Sequence, residues 1–477
     1  MFLLLPLLLF VIIFSHQKES ESIYRPSETV VIDSSLPFSF PPKSISELDR
    51  LESRVRSGSV FPEWFISQTL SKFESAFNDT PPIISLPSDH WTQGTHICNH
   101  STHIIGDLDG NLTSLLTILR EAGLPSDTNH LVFLGNMTGN LPTSLETLLL
   151  LFSLKLEHPS SVVLILGRNE HSAISPTNST DNLRFFSKYA GNSTAETQHS
   201  PSALSDQLSA ALTTLPLGLV IERLAPNEHL RMDLGRIFEI DKTVGGVFNS
   251  HSFYSADLSQ SLLLVHSGFP ITDSTETDFK KLQLKDLNTT EMRKTLLGMR
   301  RNGTGMEGKE EQDRLSFISQ VLRNKPRKPS RLFRLKTKIS PFRPSPISWC
   351  DDIKSKMKKR ENEISTLKRQ DTNTPAFYNN AAQTNNFLET NNLSLLIRAD
   401  ESLPSGYFLS HSVSIVSIGA TSTARGTPRH CFLSLTFRED SSSQNASDSV
   451  YRPVLIARRL FVDEGVKMDL PLTHQDL

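Results

Sequence analysis

The stretch from His103 to His171 constrains this chain most. It reads HIIGDLDGN at 103–111, HLVFLGNMTGN at 130–140 and VVLILGRNEH at 162–171. Each piece is a short apolar run that breaks into a Gly-polar loop, and two segments with helical spacing lie between them. That alternation predicts strand–loop–helix–strand–loop–helix–strand–loop, the repeating unit of a parallel α/β sheet. In such sheets ligands sit in the crevice outside the carboxyl ends of the strands. The three ends here carry Asp107 and Asp109, then Asn136, then Arg168, Asn169 and Glu170. Polar side chains converge there without a local structural need, which marks the place to look for function.

The flanking segments support a large domain with appendages. Asn111–Gly123 places Leu112, Leu115, Leu116 and Leu119 at helix spacing and stops at a glycine. Pro142–His158 opens on Thr143-x-x-Glu146, a capping-box pattern, and ends before Pro159. Thr180–Ala190 and Ser202–Leu212 read as helices. Leu215–Glu222, Ser261–His266, Leu393–Arg398, Ser412–Ile418, Cys431–Phe437 and Pro453–Leu460 read as strands. Parallel units first and hairpin-like strands last predict an α/β fold with two sheets packed as a β-sandwich flanked by helices. Upstream, Ile45–Phe77 is amphipathic and predicts two short helices in a lead-in spanning 19–85. The main domain is expected over 86–460, with insertions at about 223–260 and 270–348 and a tail at 461–477.

Three features bear on compartment and partners. Met1–Phe14 (MFLLLPLLLFVIIF) is short for a spanning helix and typical of a signal-peptide core. It predicts a signal peptide or membrane anchor over residues 1–18, and secretory or membrane-anchored localisation. Ten N-x-[ST] sequons, at Asn78, Asn99, Asn111, Asn136, Asn178, Asn192, Asn288, Asn302, Asn392 and Asn445, agree with a glycoprotein. Cys98, Cys350 and Cys431 allow at most one disulfide, and no Cys-x-x-Cys is present for a thiolate zinc site. The net charge of −2 excludes neither acidic nor basic partners. The basic run at 322–346 reads as a solvated insertion, so no nucleic acid is expected.

In order and spacing these motifs resemble the PPP serine/threonine protein phosphatases, which share the calcineurin-like metallophosphoesterase fold. GDLDGN looks like that family's GDxHG, GNMTGN sits at its GDxxDRG, and LGRNEHSAI stands at its RGNHE. LPLGLVIE, LLLVHSGF, ISWCDD, LSLLIRADESLPSGYFL and SIVSIGATST follow in the family's order, so the resemblance covers about Leu86 to Leu460. The long insertion and the LPFSFP lead-in are nearest in layout to the subgroup that carries EF-hands, although no D-x-[DN]-x-[DN]-G calcium loop occurs.

The resemblance implies two metal ions that grip a phosphate and activate a bridging water. Carried over by position, Asp107 and His266 match family ligands. Asp109 replaces a ligand His, Asn136 the bridging Asp, Arg168 a ligand Asn and Asp400 the last ligand His. Asn169 replaces the His that protonates the leaving group, and Glu170 keeps the acid that orients it. Asn140 replaces the phosphate-gripping Arg, Gly139 its neighbouring Asp, and Thr423 a Tyr. A neutral Asn136 is a poor bridge between dications, and Arg168 neither deprotonates nor coordinates. Arg168 can instead fork onto Asp107, Asp109 and Asp400.

The leading expectation is therefore a pseudophosphatase that acts by binding a protein partner or phosphoprotein, with the two-metal centre not intact. Its cofactor would be none, or one weakly held Mn, Mg or Ca ion at a reduced site of Asp107, Asp109, Asn136, His266 and Asp400. The alternative is an active metal-dependent phosphomonoester hydrolase using that reduced site. A third reading is a basic module acting through 322–368.

Overall fold

A computed structural model describes residues 40–56, 61–86, 100–174, 186, 201–222, 238–240, 261–269, 283–298, 309–323, 325–326, 378–379, 381–401, 403, 406–410, 414–419, 421–422, 428–439 and 451–461. The apolar N-terminus, the helix expected at 180–190 apart from Phe186, ISWCDD, Thr423 and nearly all of the basic run lie outside the described residues. No helix among the described residues is long and apolar enough to cross a membrane.

Two sheets form the centre. In chain order the strands are β1 (Ile83–Leu86), β2 (Ser101–Ile105), β3 (Asn129–Phe133), β4 (Val162–Leu164), β5 (Gly218–Ile221), β6 (Phe238–Ile240) and β7 (Ser261–Val265). A two-residue pair follows, β8 (Lys325–Pro326) with β9 (Tyr378–Asn379). Then come β10 (Leu393–Arg398), β11 (Tyr407–Ser410), β12 (Ile415–Ile418), β13 (Thr421–Ser422), β14 (Pro428–Glu439) and β15 (Tyr451–Phe461). One sheet runs β1-β5-β7-β10-β12-β11 and the other β4-β3-β2-β14-β15-β6, with β13 paired to β14. Strands β2, β3 and β4 are parallel, as are β7, β10 and β12; the long β14–β15 hairpin is antiparallel.

Burial alternates along the strands because successive side chains point to opposite faces. Ile104, Val132 and Val163 of one sheet cluster with Leu219, Leu264, Ile397 and Val416 of the other, filling the space between the sheets. Their neighbours Ile105, Phe133 and Leu164 face outward into a second cluster built by helices. Those helices include α1 (Ile45–Arg56), α2 (Glu63–Phe77), α3 (Leu112–Ala122), α4 (Ser144–Glu157), α5 (Arg168–Ile174) and α6 (Pro201–Thr213). The predicted α/β sandwich flanked by helices is the observed fold.

Three local outcomes differ from the sequence reading. Leu48, Leu51, Phe65, Ile66, Leu70 and Phe73 of the lead-in helices belong to the main core cluster, and Ile83–Leu86 of the same segment pairs in parallel with β5. Four residues have no periodicity to read without their partner strand. Phe238–Ile240, inside the expected surface insertion, pairs with β15. Thr143 makes no capping bond to its helix; its hydroxyl donates to the Gly110 carbonyl at 2.7 Å, so it serves the neighbouring loop. Asn111 is a true cap, accepting from the Ser114 amide at 3.0 Å.

Candidate functional site

Five strand ends meet at one edge of the sandwich. β2, β3 and β4 deliver the loops with Asp107 and Asp109, Asn136, and Arg168 to Glu170. β7 delivers His266 and β10 delivers Asp400. Asp109, Asn136 and Asp400 all have positive φ, at 50°, 49° and 58°. Non-glycine residues rarely adopt this conformation, and when they cluster the surrounding structure must hold them there.

Glu170 holds the second and third loops together. Its side chain is fully buried and accepts from the amides of Asn136 (2.9 Å), Thr138 (2.8 Å) and Gly167 (3.1 Å), and from the Thr138 hydroxyl (2.7 Å). Burial pushes its pKa up, and these hydrogen bonds pull against the rise. The expected role, orienting a catalytic imidazole, has no imidazole to act on because Asn169 stands there. Gly167 is required by this closeness: a Cβ there would sit 2.0 Å from the Asn136 nitrogen and 2.5 Å from Glu170 Oε2.

Asn136 is spent at both ends of its amide. Its Oδ1 accepts from the Asn169 backbone N–H at 3.0 Å, and its side chain hydrogen-bonds to the Asp107 carboxylate. Its backbone carbonyl accepts from the Leu108 and Asp109 amides at 3.0 and 2.8 Å, joining the first loop to the second. Asn169 Nδ2 donates to the Thr138 carbonyl at 2.6 Å and to Asp109 Oδ1 at 3.4 Å.

The carboxylates are crowded. Asp107 Oδ1 accepts from the Asp400 amide at 3.3 Å. Burial first, then the charges of Asp109 and Asp400, raise the Asp107 pKa well above the ordinary carboxylate value. Loss of water raises that of Asp109, and the Arg168 charge opposes it. Arg168 is 44% exposed, and its Nη2 lies 3.2 Å from Asp400 Oδ1. Of the three carboxylates it was expected to fork onto, Asp400 is the one within ion-pair distance; Asp109 feels it only through space. The Ser267 hydroxyl also donates to Asp400, at 3.2 Å.

His266 is fully buried. Its Nδ1 lies 2.8 Å from the Leu134 carbonyl, which can only accept, so the proton is on Nδ1. Nε2 then carries a lone pair and has no hydrogen-bond partner among the described residues, with Asp400 Oδ1 at 4.0 Å. Burial lowers its pKa to about 4. Beneath Asp400, buried Arg398 bonds the Ser267 carbonyl through Nε and Ser417 Oγ through Nη1 at 3.1 Å, with Glu401 Oε1 also at 3.2 Å. Ser267 and Thr138 were not picked out in the sequence, although each adjoins a motif residue. Among the described residues, no group of three or more His, Cys, Asp or Glu side chains is placed to hold a metal ion.

No protein-family model matches the chain. Curated relatives do. The serine/threonine-protein phosphatase PP2A-like PPG1 of Candida albicans is 32% identical over 159 residues, 33% of this chain and 34% of that protein. Its Saccharomyces cerevisiae namesake is 36% identical over 151 residues, 31% of this chain and 36% of that protein. The Drosophila melanogaster serine/threonine-protein phosphatase rdgC is 40% identical over 93 residues, 20% of this chain and 13% of that protein. Over the matched residues this chain is similar to PPP serine/threonine protein phosphatases. The matched part spans about a third of the length of the two PPG1 relatives. A solved protein serine/threonine phosphatase from Saccharomyces cerevisiae, with similarity to human phosphatase PP5, shares the fold. It superposes with a TM-score of 0.50 at 13% identity, covering 88% of this chain and 96% of the other.

Proposed function

We propose that this chain is a pseudophosphatase: it keeps the phosphatase fold, does not hold a two-ion centre, and acts by binding a protein partner. The observation that carries this reading is the Arg168 guanidinium 3.2 Å from Asp400 Oδ1, at a position where hydrolysis in this fold needs a metal ligand. The donor set does not fit two dications. Asn136 is neutral, and both ends of its amide are engaged within the site. Asn169, where a proton donor would stand, is an amide bonded to Thr138 and Asp109. An amide does not supply the general acid, a contribution worth about 10²–10⁴-fold in rate.

The chemistry that remains is recognition. Amide, guanidinium and carboxylate groups at one rim, on loops locked by Glu170, offer fixed hydrogen-bond donors and acceptors to a polypeptide or phosphopeptide. A second reading, an altered phosphomonoesterase with one ion, is favoured by His266 Nε2, unpaired among the described residues, an imidazole nitrogen ready to coordinate.

The test is turnover of p-nitrophenyl phosphate and a phosphoserine peptide by the full chain with Mn²⁺, beside its metal content. The expected result is no metal-dependent turnover above background. Turnover with Mn²⁺ that disappears in Asp107→Asn overturns the proposal.

A further inference from the structure

We propose that Arg323 and His171, beside the rim, together receive the phosphoryl group of a phosphorylated peptide. This rests on the pseudophosphatase reading and names the chemistry of its partner.

The rim itself is a poor place for a phosphate. Asp107, Asp109 and Asp400 outnumber the Arg168 guanidinium there, and Arg168 is already paired with Asp400. Arg398 is neutralised by Glu401. Like charges held close repel, so a phosphorylated chain lying on this rim needs positive charge next to it. The helix Lys309–Arg323 brings it. The last turn of that helix is tied to the site: the Val321 carbonyl accepts from the Ser267 and Gly268 amides at 3.2 and 3.1 Å, the two residues that follow His266. Arg323 comes two residues later. It is half-buried, and its Nε is buried without a hydrogen-bond partner among the described residues. Arg293 shows the contrast, since its guanidinium is spent on the carbonyls of Phe77, Asn78 and Thr213. A guanidinium N–H taken out of water without an acceptor is costly, and a bound anion removes that cost.

His171 completes the pair. It lies on α5, three residues after Arg168, and its backbone N–H donates to the Gly167 carbonyl at 2.9 Å. Its ring is half-buried. Burial first, and then the Arg323 charge, lower its pKa to about 4, so the two side chains feel each other directly. The neutral ring still offers one N–H. A guanidinium forks onto two oxygens, which a carboxylate already fills; a phosphoryl group has a third oxygen for the imidazole. That difference favours phosphoserine or phosphothreonine over an acidic side chain.

The experiment uses the full chain in EDTA, so that binding through a metal centre is excluded. Inorganic phosphate is titrated by phosphorus NMR. A labelled random peptide library with one fixed phosphoserine, and its unphosphorylated twin, are titrated by fluorescence anisotropy. The proteins are the wild type, Arg323→Gln, Arg323→Lys and His171→Gln, each checked for folding by circular dichroism. The wild type should bind the phosphoserine library at least about tenfold tighter than the unphosphorylated one, and inorganic phosphate should compete. Arg323→Gln should lose at least about tenfold, the worth of one charge-assisted hydrogen bond. Arg323→Lys should keep part of the affinity and His171→Gln should lose less than Arg323→Gln. Phosphate should raise the melting temperature of the wild type and leave Arg323→Gln unmoved. Equal binding of both libraries, or binding that a folded Arg323→Gln retains, overturns this inference and leaves the pseudophosphatase reading standing. Capture of inorganic phosphate without any preference for the phosphoserine library overturns the assignment to a peptide. Phosphate binding that requires Mn²⁺, together with phosphoester hydrolysis, overturns both readings.

Discussion

Glu170→Gln is the substitution that tests how the site is held. The carboxylate receives four hydrogen bonds, two on each oxygen: Asn136 and Gly167 amides on Oε2, the Thr138 amide and hydroxyl on Oε1. A glutamine keeps one acceptor oxygen and turns an NH₂ group toward the other pair of donors. Two bonds to a charged acceptor are lost, at about 1.5–3 kcal/mol each. Part of this is returned, because burial of the charge is the largest influence on the carboxyl group and an amide relieves it. The net cost should be about 2–4 kcal/mol. Urea unfolding followed by circular dichroism measures it, and amide hydrogen exchange locates it. Asn136 and Thr138 should exchange faster in the variant, while the β14–β15 hairpin is unchanged. A loss below about 1 kcal/mol, with both amides protected as in the wild type, refutes the idea that this side chain joins the two loops.

Two further outcomes follow from buried charge. Asp107 has its pKa raised, so the folded state disfavours its anion. Asp107→Asn, which can still accept from the Asp400 amide, should stabilise the protein at pH 8, and the gain should shrink as pH falls through the raised pKa. His266 and His171 have the opposite sign: both are lowered to about 4, so their contribution is present above about 6.5 and is lost as pH falls toward 4. Unfolding at a series of pH values separates the two trends. Arg398→Met strips the guanidinium from buried Glu401 and should cost about 3–5 kcal/mol, while Arg398→Met with Glu401→Leu should recover most of it. A double variant no more stable than the single would show that Ser267 and Ser417, not the ion pair, need the arginine.

The frame was legible in the sequence because the pleat writes itself as alternation. The apolar runs before Gly106, Gly135 and Gly167 became β2, β3 and β4 with their loops at one edge. Asn111 and Gly123 marked the ends of α3 as caps should. Ile83–Leu86 and Phe238–Ile240 gave no period to detect and exist through their partners. At the site, the residues could be named but not their aims. Nothing in RNEH distinguishes an arginine that forks across three carboxylates from one that reaches only Asp400. Glu170 facing backbone amides of another loop is equally invisible, because that contact depends on how far apart β3 and β4 set their loops. Ser267 carries no motif of its own and gains its role from Asp400, 133 positions away in sequence.

The burial of Asn136 reaches beyond the site. Asn136-Met137-Thr138 is a glycan acceptor in sequence, yet the asparagine is 1% exposed and its amide is bonded at both ends. A sugar tree attached while the chain is still emerging would wedge the second loop open and strand Glu170 without its donors. Any passage of this protein through the endoplasmic reticulum is therefore a race between closing that loop and the transferase. A molecule carrying the sugar at this one position should arrive misfolded, whatever happens at exposed Asn78 and Asn392.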